Sequence, residues 1–319
     1  EPYRRQRQMC IRDSGLTACI KDDVYVEPTM EQYKLTTEWT VPVQDDCITV
    51  VEYNGEVIYE GNVPMNIDVP KDNYGSTRSL EGLEWHFVPN GKPLLGNSYY
   101  TEYRNGIFAF EDAPNGDNDY NDFICYFKEA YSVFLKGENQ IDHILFKKLE
   151  ILPKALGNSI PLSFGIELVN VNSGDMIADI IIYKDIRKEA FNGATGFINT
   201  DKNIPEFELN SKCDKIITEQ AFRPENDLKN SELGINYYII ANGKKYYTAD
   251  SNRAKLTENK TPYGLYIPTT SNYWDYPIEK SPIWEGYPNF KNWILGKKQG
   301  PFSERKSKYL YSMQKHSQN

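Results

Sequence analysis

Apolar runs typical of β-strands recur along the chain, and two-residue alternation is visible in FICYFKEAYSVFL, residues 123–135, where period-two positions change from apolar to mixed. Shorter runs of the same kind recur through residues 33–61, 107–110 and 143–184. The best helical pattern covers residues 216–228, and Pro224 interrupts it. Many short strands separated by frequent turns predict an all-β fold with few short helices, of a β-sandwich or jelly-roll-like architecture.

Two hairpins are predicted from Asn-Gly pairs that lie between apolar runs. Asn54-Gly55 divides CITVVEYNGEVIYEG, and Asn242-Gly243 divides INYYIIANGKKYYTA. Both residues tolerate the positive φ angles that a tight type I′ turn requires.

Composition and charge limit the classes of partner. The 319 residues include 13% aromatic side chains, which is enough to bury a sizeable core as one large β domain or two smaller ones. The formal net charge is −9, which argues against nucleic acid as a partner. A cation, a neutral glycan or a protein remains compatible with this charge.

An acidic run between two predicted strands carries the clearest candidate chemistry, in IFAFEDAPNGDNDYNDFICYF, residues 107–127. Hard cations such as Ca²⁺ take six to eight oxygen ligands. The predicted ligands are Asp117, Asp119, Asn121 and Asp122, with Glu111 and Asp112 as less central candidates.

The run does not have the pattern of an EF-hand. Counted from Asp117, the sixth residue is Asp122 instead of Gly and the twelfth is Lys128 instead of Glu. A wide turn held by Asp and Asn hydrogen bonds is the alternative to a cation site. Mutual repulsion among the carboxylates favours the cation, because few basic residues lie nearby.

Four ordered segments resemble those of the LruC-domain lipoproteins of Bacteroidetes. They cover residues 108–127, 155–168 (ALGNSIPLSFGIEL), 196–200 (GFINT) and 262–294, which contains WDYPIE and YPNFKNW. The similarity spans about residues 100–310. Two features depart from the family pattern: Ala113-Pro114-Asn115 stands where family loops often have Leu-Trp-Pro, and the stretch before Ile107 is short. The resemblance implies a β fold and a surface lipoprotein, and it implies no reaction.

The N-terminal residues fit the same interpretation. Arg4 to Ser14, RRQRQMCIRDS, resembles a translated sequencing adapter, so residues 1–18 are expected to be a scar plus a signal-peptide remnant. Leu16 to Cys19 fits a bacterial lipobox, although a chance L-T-A-C is the alternative, and Lys21-Asp22-Asp23 resembles the surface-export signal of Bacteroidetes lipoproteins.

We therefore expect acylated Cys19 to insert into outer-membrane lipid, with the protein exposed on the cell surface. Residues 19–30 would form a tether, 31–70 a small N-terminal β segment and 71–319 the LruC-type β domain. Cys47, Cys125 and Cys213 could form at most one disulfide, and their state is left open.

An enzyme is not expected, because the sequence has no HExxH, GxSxG or phosphate-loop motif. His86 and His143 are better explained as strand residues than as metal ligands. The predicted role is binding or adhesion to an unknown protein or glycan.

The alternative is a carbohydrate-active module, either a glycan-binding domain or a glycosidase with paired acids. Its sugars would stack on Trp274, Trp284 and Tyr287. The competing explanation of these aromatic side chains is an irregular segment that completes the core. Exposure or burial of the rings distinguishes the two.

Overall fold

A computed structural model describes residues 30–71, 80–89, 98–137, 139–199, 215–216, 220–269, 274–297 and 300–311. Cys19, Cys213 and the predicted tether up to residue 29 lie outside these residues.

Within the described residues the chain forms eighteen strands and three short α-helices. The strands, in chain order, are β1 Thr36–Thr40, β2 Cys47–Tyr53, β3 Glu56–Gly61, β4 Asn66–Pro70, β5 Leu83–Pro89, β6 Tyr99–Phe110, β7 Phe123–Lys136, β8 Gln140–Leu156, β9 Leu162–Asn170, β10 Met176–Tyr183, β11 Ile198–Asn199, β12 Lys215–Ile216, β13 Gln220–Phe222, β14 Leu233–Ala241, β15 Lys244–Tyr247, β16 Gly264–Pro268, β17 Tyr276–Pro277 and β18 Leu310–Tyr311. The helices are α1 Ile186–Phe191, α2 Ile283–Gly286 and α3 Phe290–Ile294, with 3-10 turns at Met30–Tyr33, Asn230–Glu232 and Ser307–Tyr309.

Two antiparallel sheets form the body of the protein. The larger has ten strands, in the order β11-β8-β7-β6-β3-β2-β5, with β12 and β13 also paired to β8 and β16 paired to β6. The smaller has the order β10-β9-β14-β15. The pairs β1-β4 and β17-β18 form two further two-stranded ladders.

The two sheets pack face to face through aromatic side chains. The Phe108 ring of β6 lies 4.4 Å from the Tyr237 ring of β14, measured between centroids. The Phe123 ring of β7 lies 5.5 Å from the Phe164 ring of β9. This packing confirms the prediction of an all-β, sandwich-like fold.

The opposite face of the large sheet is also buried. Alternate residues point to opposite faces of a strand, so Ile107 and Ala109 leave the interface that Phe108 enters. They join a second core with residues 274–311, which we call the strap. Trp293 and Phe290 of the strap belong to this core. Burial on both faces explains why β6 and β7 are nearly continuous in apolar residues at this end.

Both predicted hairpins are present. Asn54 and Gly55 have φ values of 51° and 81°, and Asn242 and Gly243 have 49° and 73°, which are the left-handed angles of a type I′ turn.

The predicted helix at residues 216–228 is wrong. Lys215–Ile216 and Gln220–Phe222 are strands that pair with β8. The long β8 strand offers an open edge whose backbone groups need partners, and pairing with this edge outweighs a weak helical pattern that already contains Pro224.

The strands of residues 31–70 are divided between two sheets, because β1 and β4 pair only with each other in a two-stranded ladder. The strands β2 and β3 enter the large sheet, where β3 pairs with β6. Segments on both sides of residue 70 therefore contribute strands to the large sheet.

Candidate metal centre

The acidic loop, residues 111–122, connects β6 to β7 and is held in an unusual backbone conformation. Asn118 and Tyr120 have φ values of 61° and 55°. Asn tolerates this region, whereas Tyr rarely adopts it. The Tyr120 hydroxyl donates to the Pro262 carbonyl over 2.6 Å, and its ring packs edge-on against Phe290. These contacts outside the loop fix a conformation that the local sequence does not favour.

The loop brings three of the predicted ligands together. Each of Glu111, Asp117 and Asp119 offers a carboxylate oxygen, and these oxygens all lie within 4.8 Å of one another. Glu111 and Asp119 are each only 1% exposed, while Asp117 is exposed. The group therefore has a buried side formed by two carboxylates and an open side at Asp117.

Backbone amides orient the two buried carboxylates. Glu111 accepts from the amide of Tyr120 over 2.6 Å and from that of Asn118 over 3.3 Å. Asp119 accepts from the amide of Asn121 over 3.2 Å and from that of Lys280 over 2.8 Å. A carboxylate has about four acceptor positions, so both retain capacity for a further partner.

These amides do not fully compensate the negative charge. Burial raises the pKa of Asp119 to about 8, and the neighbouring charge of Asp117 adds to this rise. Burial, followed by the charge of Asp119, raises the pKa of Glu111 well above its usual value. Neighbouring carboxyl groups ionise with difficulty because their negative charges repel each other. A bound divalent cation would neutralise these charges.

The remaining predicted acids hold the loop together and are not members of this three-carboxylate group. Asp122 accepts from the backbone amide of Asp112 over 2.8 Å, and Asn158 donates to the Asp112 carboxylate over 3.1 Å. Burial raises the pKa of Asp122 to about 10, with the charges of Glu111 and Asp112 contributing further. The hydrogen-bonded turn expected as the alternative therefore describes this half of the loop.

Asn121, the remaining predicted ligand, has one satisfied and one unsatisfied side-chain atom. Its Nδ2 donates to the Pro277 carbonyl over 3.2 Å, while its buried Oδ1 has no hydrogen-bond partner. A Cβ on Gly157 would stand 2.3 Å from this Oδ1 and 3.1 Å from Oε2 of Glu279. Both oxygens therefore lie close to the same point beside Gly157, where only glycine leaves room.

Glu279 is an additional candidate ligand that the sequence did not identify. Burial and the charge of Asp117 raise its pKa, and its charge in turn contributes to the raised pKa of Asp119. It lies in the strap, far along the chain from the loop, so no local motif connects it to the other acids.

The aromatic side chains of the strap do not form an exposed platform. Trp274 is 8% and Tyr287 3% exposed, and their rings stack with centroids 6.1 Å apart. Trp284 is half-buried, and Lys291 Nζ lies 4.7 Å from the centre of its ring. Two of the three predicted stacking residues therefore belong to the core, as the competing explanation required.

The two histidines within the described residues lie on strands. His86 is exposed on β5, and His143 stacks on Phe134 with centroids 4.4 Å apart. Neither belongs to a group of potential metal ligands found among the described residues. The two described cysteines, half-buried Cys47 and buried Cys125, are free thiols.

Comparison with known proteins adds little. No protein-family model matches the sequence. No curated protein matches it either. Among solved structures, the chain is similar to a provisionally assigned lipoprotein from Bacteroides ovatus, with 13% sequence identity and a TM-score of 0.36. The alignment covers 87% of this chain and 93% of that chain. A similarity of this degree does not establish a shared function, so the resemblance to LruC-domain lipoproteins stays a prediction from the sequence.

The described helices are short compared with the hydrocarbon core of a bilayer, which is about 30 Å thick. Among the described residues, none of them is long and apolar enough to cross a membrane.

Proposed function

We propose that this protein is a lipid-anchored binding or adhesion protein of the cell surface, in which Ca²⁺ fixes the acidic loop against the strap. The observation that carries the cation is the convergence of Glu111, Asp117 and Asp119 oxygens within 4.8 Å of one another. The lipid anchor and the outer-membrane location rest on the lipobox pattern that ends at Cys19.

Calcium suits the available atoms better than a softer metal. The candidate ligands are carboxylate and amide oxygens: the three clustered carboxylates, Glu279, which interacts electrostatically with Asp117 and Asp119, and the unsatisfied Asn121 Oδ1. Ca²⁺ accepts a flexible shell of oxygens and completes it with water. The open side at Asp117 would supply that water.

The ion would act at the junction of two chain segments. The Asn118 carbonyl accepts from the Ile283 amide over 2.8 Å, and Asp119 accepts from the Lys280 amide. A cation bound to Asp119 would keep this carboxylate ionised and its bond to the strap in place. Its predicted role is thus to stabilise the loop and the strap together.

Thermal unfolding with calcium, compared with chelator, tests the cation site. A ligand that binds only the folded state, at a free concentration of one hundred times its Kd, adds about 2.7 kcal/mol to the free energy of unfolding. We expect calcium to raise the unfolding midpoint of the unmodified protein, and Asp119→Asn to abolish most of this rise.

Asp112→Asn is the matched control, because it removes the same charge from the same loop outside the three-carboxylate group. We expect it to retain the calcium effect. If calcium changes nothing and the protein is equally stable in chelator, the loop is a hydrogen-bonded turn and the cation proposal fails. If only Asp112→Asn loses the effect, the ion lies at Asp112 and Asp122 instead.

The anchor is tested by metabolic labelling with an alkyne-bearing fatty acid in a bacterium that processes lipoproteins, with a lipoprotein signal peptide placed upstream of Gly15. We expect label on the protein and its recovery with outer membranes. Cys19→Ala should abolish both, whereas Cys47→Ala should abolish neither. Labelling that survives Cys19→Ala would contradict the assignment of this residue.

A further inference from the structure

A large polar cavity opens between the two sheets, at the other half of β6 from the acidic loop. Its volume is about 830 Å³, and its lining includes Asp68, Glu102, Arg104, Asn236 and Asp250. This volume falls in the range of about 300–1,000 Å³ typical of small-molecule sites.

Charged side chains enter the sandwich interior beside this cavity. Glu102 and Arg104 of β6 stand on the face that Phe108 uses to contact the small sheet, and Glu129 and Tyr131 of β7 share it. The Tyr131 hydroxyl donates to Glu102. Apolar side chains at such positions are commonly at least as stable as buried ion pairs. The cluster therefore calls for a reason other than stability.

Arg104 is the centre of the cluster. It donates to Asp250 over 2.9 Å, and its guanidinium lies 4.7 Å from the centre of the Tyr266 ring. Arg104 Nε and Asp250 Oδ1 are buried without a hydrogen-bond partner, although both residues line the cavity. A buried donor and a buried acceptor are thus left unsatisfied within a residue pair that lines the cavity with its other atoms, so hydrogen bonding inside the protein does not account for the whole pair.

The charged, amide and apolar residues that line the cavity indicate the class of ligand. Its charged residues are three cations and four carboxylates: Lys34, Arg104, Lys229, Glu38, Asp68, Glu102 and Asp250. Five asparagines add amides that both donate and accept. Apolar surface comes from residues such as Met65, Leu233 and Ile235. A lining of mixed charge does not favour a polyion as the ligand. The many hydrogen-bond donors and acceptors of the lining match the hydroxyls of a neutral, hydroxyl-rich ligand.

We propose that this cavity is a binding site for a neutral saccharide, with Glu102, Arg104 and Asp250 contacting its hydroxyls. A second cavity of about 410 Å³ shares Asp68 and Arg104 with the first and is lined by the half-buried rings of Tyr103 and Phe302. It provides aromatic surface for a further sugar unit, so the ligand is an oligosaccharide. The inference rests on the proposed binding role and names its ligand, but it does not depend on the calcium site.

The first test exposes the labelled full-length protein to an immobilised array of neutral and charged glycans, followed by calorimetric titration of the best neutral oligosaccharide. We expect retention of neutral glycans. Glu102→Gln keeps the shape of the side chain and the bond from Tyr131, and it should weaken binding about 10-fold or more because a charge-assisted hydrogen bond is lost.

Glu129→Gln is the matched control. It replaces a neighbouring glutamate of the same interior face that does not line either cavity, and the titrations are run at pH 9, above the Glu129 pKa of about 8, so that the substitution removes a charge there. We expect its affinity to match that of the unmodified protein, which separates ligand contact from a general effect of charge in the core.

Three results would overturn the inference: no neutral glycan is retained, only charged glycans are retained and salt releases them, or Glu102→Gln binds as tightly as the unmodified protein. The calcium-dependent unfolding midpoint is measured on the same preparations. Loss of the calcium effect with intact glycan binding would reject the cation alone, and the reverse result would reject this inference alone.

Discussion

Glu129 illustrates at the scale of one residue how burial and pairing compete. Both of its carboxylate oxygens are buried without a hydrogen bond, and Oε1 stands 4.0 Å from Arg104 Nη1. Burial raises the pKa of Glu129 to about 8, although Arg104 acts in the opposite direction. The pKa of Arg104 itself rises, because Tyr266, Asp250 and Glu129 together outweigh its burial. Arg104 alone does not offset the cost of burying a charge on Glu129, whereas several partners together offset the cost of burying the charge on Arg104.

This imbalance predicts a pH-dependent stability. The pKa of Glu129 is about 8 in the folded protein and near its ordinary value of 4.5 in the unfolded chain. Between these values the folded state holds a proton that the unfolded state has released, so stability falls as pH rises through this window. We expect Glu129→Gln to raise the melting temperature by a few degrees at pH 8 and to change it little at pH 4.5.

Melting temperatures of both proteins across this pH range provide the measurement. The difference between them should grow with pH and level off above the folded-state pKa of Glu129. A difference that is constant with pH, or that is largest in acid, would contradict the pKa assigned to Glu129.

The acids of the loop show the same dependence on surroundings. Asp112, Asp119 and Asp122 are alike in the sequence, and all were predicted as ligands. In the structure only Asp119 joins Glu111 and Asp117, while Asp122 accepts from the amide of Asp112. Residue type indicated the chemistry, but the direction of each side chain depends on contacts with residues far along the chain.

At the scale of elements, the conformation of turns depends most closely on the residues that form them. Asn242-Gly243 forms the predicted hairpin because both residues adopt positive φ at little cost. The φ of Gly243 is 73°, and a Cβ there would meet nothing within 4 Å. Any effect of a larger residue at this position is therefore backbone strain and not a collision.

Gly243→Ala should cost about 1–2 kcal/mol of unfolding free energy, the usual penalty for a left-handed non-glycine residue. Chemical denaturation measures this change. Lys244→Ala, at the exposed neighbouring position, should change the stability by less than about 0.5 kcal/mol. Equal effects of the two substitutions would show that φ at Gly243 does not limit this turn.

Strand edges obey local rules less well. The segments Lys215–Ile216 and Gln220–Phe222 carry a helical pattern in the sequence but pair with β8. Their conformation follows from hydrogen-bonding groups on another strand, which no propensity of the segment itself encodes.

At the scale of the whole molecule, the strap converts a two-sheet sandwich into a structure with a second core. Phe290 is fully buried there and contacts Tyr120 of the acidic loop, Trp293 and Phe302. The strap therefore stabilises the acidic loop by side-chain packing, in addition to the hydrogen bonds that backbone amides of the strap donate to the loop.

Phe290→Ala should lower the unfolding free energy by about 3–5 kcal/mol, as expected for removal of a buried aromatic ring. Leu295→Ala, in the same strap but at a residue that is 62% exposed, should change it by less than about 0.5 kcal/mol. Urea unfolding distinguishes the two. A small cost for Phe290→Ala would mean that the strap contributes little to the second core.

The alternation of apolar residues, the Asn-Gly turns and the acidic run were enough to predict an all-β fold, two hairpins and the main candidate loop. These features depend on periods and conformations of a few neighbouring residues, which the sequence specifies directly. Tertiary packing accounts for three further features: Glu279 approaches the loop, Trp274 and Tyr287 are buried, and Glu102, Arg104 and Asp250 meet at a cavity. Each of these features joins residues far apart in the chain, and their proximity arises only when the strap and the two sheets pack together.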